Sequence, residues 1–232
     1  MKLEDLKNNP LLISKNLKIK GPNGLKGTAT VTVSTPVITE KRSDLFQETV
    51  TLIRDAVVDA HASIDDPTGE LINVTSTGTA NCYWLPWASG KIYLGQLGGS
   101  YEYFFTYTIN GCGVMIGGTE TNPIVGHANL ESKRLDAAAE KAAAFAKDRS
   151  KYASAAQEAA KEQALIYDHF YGNLAAQLIH DELMSGARLE VVTPQQYLID
   201  AGAGWGAVFG IQAGGRWAFY GNWAQKTRKI WP

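Results

Sequence analysis

Cysteine is scarce in this chain, which has only Cys82 and Cys112 among 232 residues. Two cysteines make no disulfide framework, so we expect a protein of a reducing compartment that folds without crosslinks. The sequence alone leaves a bridge between Cys82 and Cys112 open. Such a bridge would consume the one thiol that has a candidate catalytic context.

Long apolar runs and an excess of one charge are also missing. No stretch of eighteen apolar residues occurs, so no transmembrane helix is predicted, and residues 1–10 lack the apolar core of a secretory signal peptide. The formal net charge of −1 predicts neither a nucleic-acid nor a membrane partner. The glycine-rich segments 95–99 and 117–118 lack the context of a phosphate-binding loop, so we expect no nucleotide site.

Hydrophobic periodicity changes along the chain. Strict alternation over residues 28–35 predicts a strand. A capping-box-like start at residues 44–47, followed by apolar residues at helical spacing from Phe46 to Val57, predicts a helix. Residues 71–118 are rich in Thr, Tyr, Val, Ile and Gly and are predicted to form a series of strands.

Alanine and charged residues dominate the segment from about 131 to 186. Their helix propensity predicts two or three helices there, and strands return after Leu189. The predicted class is therefore α+β, with mixed, mostly antiparallel strands before and after an Ala-rich helical segment. With 45% hydrophobic residues, we expect one domain spanning residues 1–232.

The candidate chemistry centres on Cys112, which lies between two glycines, and on His127 fifteen residues later. A thiol becomes a strong nucleophile when a base takes its proton, and glycines let a substrate carbonyl approach backbone amides that hold an oxyanion. A free cysteine is more often buried packing, and a lone histidine is more often structural. Their shared glycine-rich surroundings favour an acyl-transfer site.

Four short blocks carry a resemblance to a known family. They appear in a fixed order within about residues 83–129: Trp84-Leu-Pro-Trp87, Phe104-Phe-Thr-Tyr107, Gly111-Cys112 and His127. This order resembles the signature of the Burkholderia lethal factor family of protein-glutamine deamidase toxins. The cysteine and histidine also resemble the pair of the cytotoxic necrotizing factors and the chemoreceptor glutamine deamidases.

The resemblance implies a set of roles. Cys112 would be the nucleophile, His127 the base, and Thr106 the residue that orients the imidazole or the substrate amide. Asn110, Gly111 and Gly113 would contact the substrate or its oxyanion, although the family has serine where this chain has Asn110. The implied fold is a central β-sandwich flanked by helices, and neither a metal nor an organic cofactor is required.

The segment Asn110-Gly111 poses a geometric question. Asn-Gly between β-rich runs is a strong signal for a two-residue hairpin turn, which would pair Ile109 with Cys112. Thr106 would then point away from Cys112, because successive side chains alternate between faces. The role implied for Thr106 requires an irregular loop instead, and we favour the loop.

The expected function is that of a bacterial effector, secreted or delivered to the host cytosol, which acts as a monomer on a host protein. The resemblance implies a DEAD-box helicase of translation initiation as the target, with a Rho-family GTPase as the alternative. A cysteine peptidase or transglutaminase would use the same pair. A non-enzymatic β-sandwich binding module would instead use an aromatic face formed by Trp84, Trp87, Trp217 and Trp223.

Overall fold

The structure is a computed structural model that describes residues 1–22, 30–34, 49–64, 68–129, 171, 189–201 and 203–232. Most of these residues lie in strands. The strands in chain order are β1 (Lys18–Lys20), β2 (Thr30–Ser34), β3 (Thr49–Ile53), β4 (Val58–Ser63), β5 (Leu71–Thr75), β6 (Cys82–Leu85), β7 (Lys91–Gln96), β8 (Tyr103–Thr106), β9 (Gly113–Gly118), β10 (Pro123–Asn129), β11 (Glu190–Val192), β12 (Ala207–Ala213), β13 (Arg216–Trp223) and β14 (Lys226–Trp231).

Helical structure is short in the described ranges. It comprises helix α1 (Leu3–Asn8), a 3₁₀ turn (Pro10–Leu12) and a π-helical turn (Gln195–Asp200). No helix in these ranges has the length and apolar content to cross a membrane.

The strands form two sheets. The large sheet has the order β1-β5-β4-β6-β8-β12-β13-β14, and the small sheet has the order β11-β9-β10-β7-β3-β2. Most neighbouring strands are antiparallel, and the pairs β1–β5, β3–β7 and β6–β8 are parallel. The predicted mixture of mostly antiparallel strands is confirmed for the described residues.

One hydrophobic cluster contains buried side chains of both sheets. We call it the inner cluster; it includes Leu85 and Phe104 of the large sheet and Val114 and Val125 of the small sheet. Side chains alternate along a strand, so the neighbouring pair Leu85 and Thr106 shares the inner face of the large sheet with Phe104. The region between the sheets is where the candidate residues meet.

A second cluster, the outer cluster, covers the opposite face of the large sheet. Trp84 and Phe105 point to this side and pack with Leu6 of α1 and with Leu17 and Ile19. The N-terminal segment therefore closes this face, and the hydrophobic effect holds it there.

The predicted helix over residues 44–57 is wrong where the structure describes it. Residues 49–53 form strand β3, which pairs with β2 on one side and with β7 on the other. The local sequence Thr49-Val-Thr-Leu-Ile53 is rich in β-branched residues, which favour strands, and the sheet partners outweighed the helical spacing. Residues 44–48 lie outside the described residues.

The strand predicted at 28–35 is observed at 30–34, and strands are observed across 71–118 and after Leu189. The Ala-rich segment 131–186 lies outside the described residues except for Tyr171, which has a helical backbone.

Candidate active site

Thr106 ends strand β8 with its side chain buried between the sheets. Its hydroxyl donates to the backbone carbonyl of Leu85 at 2.8 Å, and its Oγ1 lies 2.6 Å from Nδ1 of His127. Leu85 is the neighbour of Thr106 in the parallel pair β6–β8. Thr106 therefore joins the large sheet to the histidine on strand β10 of the small sheet.

These two contacts determine the tautomer of His127. A threonine hydroxyl has one hydrogen, and a carbonyl oxygen can only accept, so that hydrogen goes to Leu85. The contact between Oγ1 and His127 must then have Nδ1–H as the donor. Nε2 of His127 consequently carries the lone pair, which is the form a general base requires.

Cys112 lies just before strand β9, and the strand register orients it relative to His127. His127 pairs with Val114 of β9, and Cys112 is two residues before Val114. Residues two apart in an extended chain share a face, so the alternation of β9, carried back to Cys112, would place this residue diagonal to His127, an arrangement in which Cβ atoms are separated by roughly 7 Å. The thiol does not hydrogen-bond to the imidazole in the resting site, since Nε2 of His127 has no hydrogen-bond partner among the described residues. Cys112 belongs to the inner cluster, consistent with this orientation.

Burial keeps both members of the pair uncharged. It raises the pKa of the Cys112 thiol to about 11, against the opposing effect of a backbone hydrogen bond from Asn110. It lowers the pKa of the fully buried His127 imidazole to about 3. Near neutral pH the resting site therefore holds a thiol and a neutral imidazole, since each charged form would lose its hydration.

Trp87 stacks against His127. The ring centroids are 6.4 Å apart with an interplanar angle of 19°, and Trp87 also contacts Tyr107 at 5.5 Å. Both Trp87 and Tyr107 are partly exposed, whereas His127 is buried. These two aromatic rings therefore mark the side on which the site approaches the surface.

The connection from β8 to β9 is an irregular loop and not a hairpin. Its two flanking strands belong to different sheets, so the chain crosses between the sheets here. The backbones of Ile109 and Gly206 exchange two hydrogen bonds. The Ile109 N–H donates to the Gly206 carbonyl at 2.8 Å, and the Gly206 N–H donates to the Ile109 carbonyl at 2.9 Å. Gly111 has φ +87°, a conformation that favours glycine, although a Cβ there would meet no atom within 4 Å. The favoured loop is thus confirmed, and Thr106 reaches His127.

Two tyrosines that the sequence did not predict as site residues hydrogen-bond to the backbone of this loop. The hydroxyl of Tyr197 accepts from the Gly111 N–H at 2.8 Å and donates to the Cys112 carbonyl at 2.9 Å. The hydroxyl of Tyr171 donates to the Gly111 carbonyl at 2.9 Å. A Cβ at Gly113 would lie 2.5 Å from the Tyr171 ring, so glycine permits this close approach.

The residues predicted to bind the oxyanion lie next to Cys112 in the loop. Their backbone amides differ in whether they already have a hydrogen-bond partner. The Gly111 N–H donates to the Tyr197 hydroxyl, and a backbone hydrogen bond from Asn110 opposes the rise in the pKa of the Cys112 thiol. The Asn110 residue is exposed, and Gly113 opens strand β9 opposite Ala128. A substrate oxyanion would have to use donors other than the Gly111 amide.

The two cysteines do not form a bridge. Both are free thiols, and Cys82 packs in the outer cluster while Cys112 packs in the inner cluster. The Cys82 thiol donates to the Ala60 carbonyl at 3.3 Å, and burial raises its pKa to about 12. In the described part of the chain, no group of three or more His, Cys, Asp or Glu residues could hold a metal ion.

No protein-family model matches this chain, and no curated protein is significantly similar to it in sequence. The assignment of chemistry to this site therefore depends on the contacts described above and on the resemblance of the four sequence blocks.

Removing the Tyr197 hydroxyl should loosen the loop that carries Cys112. We expect Tyr197→Phe to lower the free energy of unfolding by about 1–3 kcal/mol, because the Gly111 N–H and the Cys112 carbonyl lose a buried partner. Turnover should fall about tenfold as the thiol loses its fixed position. Chemical denaturation and a turnover assay measure the two effects.

Tyr83→Phe is the matched control, since the Tyr83 hydroxyl accepts from the Ser100 N–H at 3.0 Å. It should cost similar stability and leave turnover intact. Equal loss of turnover in both variants would contradict a positioning role for Tyr197.

Proposed function

We propose that the protein deamidates a glutamine side chain of another protein through the thiol of Cys112. The observation that supports this most is the tautomer of His127, whose hydrogen-bonded Nδ1 leaves Nε2 as a base on the face shared with Cys112. The two sheets with a common inner cluster also fit the β-sandwich implied by the resemblance.

The reaction begins with proton transfer from Cys112 to Nε2 of His127 as the sulfur attacks the carboxamide carbon. A carbon–sulfur bond forms, and the carbonyl π electrons move to oxygen. The oxyanion then collapses, the carbon–nitrogen bond breaks, and His127 returns the proton to the departing ammonia. Water, deprotonated by the same nitrogen, hydrolyses the thioester and regenerates the thiol.

The uncharged resting forms of Cys112 and His127 determine how the first proton transfer occurs. With a thiol pKa of about 11 and an imidazole pKa of about 3, a preformed ion pair is disfavoured at neutral pH. Proton transfer is therefore concerted with attack, when the negative charge passes from sulfur to the carbonyl oxygen. Thr106 assists by accepting from Nδ1–H and so stabilising the imidazolium as it forms.

The product has a carboxylate where the target had a neutral amide. At a buried or catalytic position, a new charge without a partner costs several kcal/mol, so one such change inactivates a protein. This consequence fits a bacterial effector delivered to the host cytosol. From the resemblance, we propose a DEAD-box helicase of translation initiation as the target, with a Rho-family GTPase as the alternative.

The test is to incubate the protein with a eukaryotic cytosolic extract and map modified peptides by mass spectrometry. The proposal predicts release of ammonia and a one-dalton gain at a specific glutamine. Cleaved chains would indicate a peptidase, and glutamine–lysine crosslinks a transglutaminase. Extract proteins that are captured but chemically unchanged would favour a binding module, and each of these three outcomes would contradict the deamidase.

A further inference from the structure

Two buried polar atoms of the candidate active site have no hydrogen-bond partner among the described residues. They are Nε1 of Trp87 and Nε2 of His127, and they belong to the two rings that stack at 6.4 Å. Native proteins satisfy most buried polar groups, so an unpaired atom requires an explanation. Two such atoms on one stacked pair point to a ligand that satisfies both.

The chemistry of the two atoms restricts the ligand. An indole N–H can only donate, and the unprotonated Nε2 of His127 can only accept. The ligand must therefore present an acceptor and a donor close together. A primary carboxamide has this combination, with its oxygen as the acceptor and its NH₂ group as the donor.

We propose that the indole N–H of Trp87 binds the carbonyl oxygen of the substrate carboxamide while its NH₂ group donates to Nε2 of His127 in the initial complex. Nε2 exchanges this hydrogen bond for the Cys112 proton as the sulfur attacks, and then passes that proton to the same nitrogen. This inference rests on the proposed deamidation and names the residue that recognises the side-chain amide. The arrangement places the leaving nitrogen beside the group that must protonate it. It also places a donor at the oxygen on which negative charge develops.

The hydrogen bonds of the loop favour a side-chain donor in this role. The Gly111 N–H already donates to Tyr197, and a backbone hydrogen bond from Asn110 already opposes the rise in the pKa of the Cys112 thiol. Trp87 lies on the partly exposed side of the site, where a glutamine side chain would enter. The indole N–H thus supplies a donor that neither the Gly111 amide nor the Asn110 amide supplies.

The experiment compares two small reagents on Cys112. Iodoacetamide carries a primary carboxamide, and methyl methanethiosulfonate modifies thiols without one. Both modification rates depend on thiol reactivity. The rate with iodoacetamide divided by the rate with methyl methanethiosulfonate therefore isolates recognition of the carboxamide. The ratio for Cys112 should exceed that for free cysteine, and in Trp87→Phe it should fall about tenfold, because one hydrogen bond is lost while an aromatic ring remains.

Trp223→Phe is the matched control, because Trp223 is a tryptophan of the inner cluster whose buried N–H is also unpaired among the described residues. Its ratio should equal that of the unchanged protein. If Trp87→Phe fails to fold, benzothienylalanine at position 87 replaces the N–H by sulfur in nearly the same shape and should give the same fall.

An unchanged ratio in the position-87 variants would overturn the inference. A parallel fall of both rates would also overturn it, since Trp87 would then act on the thiol and not on the amide. So would a ratio for Cys112 no higher than for free cysteine. Each of these results leaves the extract experiment unaffected, so failure of this inference is distinguishable from failure of the proposed deamidation.

Discussion

Cys112→Ser should abolish ammonia release and glutamine modification, with turnover falling more than about a thousandfold. Serine is nearly isosteric with cysteine, but its hydroxyl ionises far less readily than a thiol, and His127 is too weak a base to compensate. The fold should survive because the side chain keeps its size within the inner cluster. Mass spectrometry of treated extract and a thermal melt measure the two effects.

The chain offers an internal control in Cys82. Its thiol is also buried, but it lies in the outer cluster on the opposite face of the large sheet. Cys82→Ser should therefore retain turnover at near the original rate. Activity that survives in Cys112→Ser, or that disappears equally in Cys82→Ser, would rule out Cys112 as the nucleophile.

The parts of the site that the sequence predicted come from short blocks on adjacent strands. The sequence assigned catalytic roles to Thr106, Cys112 and His127, and it gave Trp87 a role only in the aromatic face of the alternative binding module. The structure places Thr106 and Trp87 against His127, and Cys112 in the inner cluster between the sheets. The abundance of Thr, Tyr, Val, Ile and Gly also predicted the strands within residues 71–118, and further strands were predicted after Leu189. Their roles in catalysis remain predictions.

The residues that hold the loop could not be predicted from the sequence. Tyr197 lies 85 residues beyond Cys112, and Tyr171 lies 60 residues beyond Gly111. A tyrosine hydroxyl that bonds to a distant backbone leaves no periodicity or spacing in the chain. Only the three-dimensional structure, which brings Tyr171 and Tyr197 to the loop, identifies these contacts.

The error at residues 49–53 has a different origin. A few apolar residues at helical spacing also fit a short buried strand, since a brief run does not separate the two periods. Strand β3 has neighbours on both sides, so pairing with β2 and β7 decides its conformation. Such partners are invisible in a local window of sequence.

The hydroxyl of Thr106 should matter to catalysis because it determines which nitrogen of His127 carries the proton. In Thr106→Val, neither the Leu85 carbonyl nor Nδ1 of His127 keeps its hydrogen-bond partner. The imidazole is then free to carry its proton on Nε2, where it cannot accept from Cys112. A histidine in the wrong tautomer can cost several orders of magnitude in turnover.

We expect Thr106→Val to lower turnover about a hundredfold or more, with a stability loss of about 1–3 kcal/mol from the buried groups left unpaired. Thr106→Ser keeps the hydroxyl and should retain most activity. Thr108→Val controls for the stability loss, because the Thr108 hydroxyl accepts from the Ile19 N–H at 2.6 Å and donates to the Ile19 carbonyl at 3.0 Å.

Nitrogen-15 NMR should find the His127 proton on Nδ1 in the unchanged protein. Finding it on Nε2, or equal turnover in the Thr106 and Thr108 valine variants, would contradict this role.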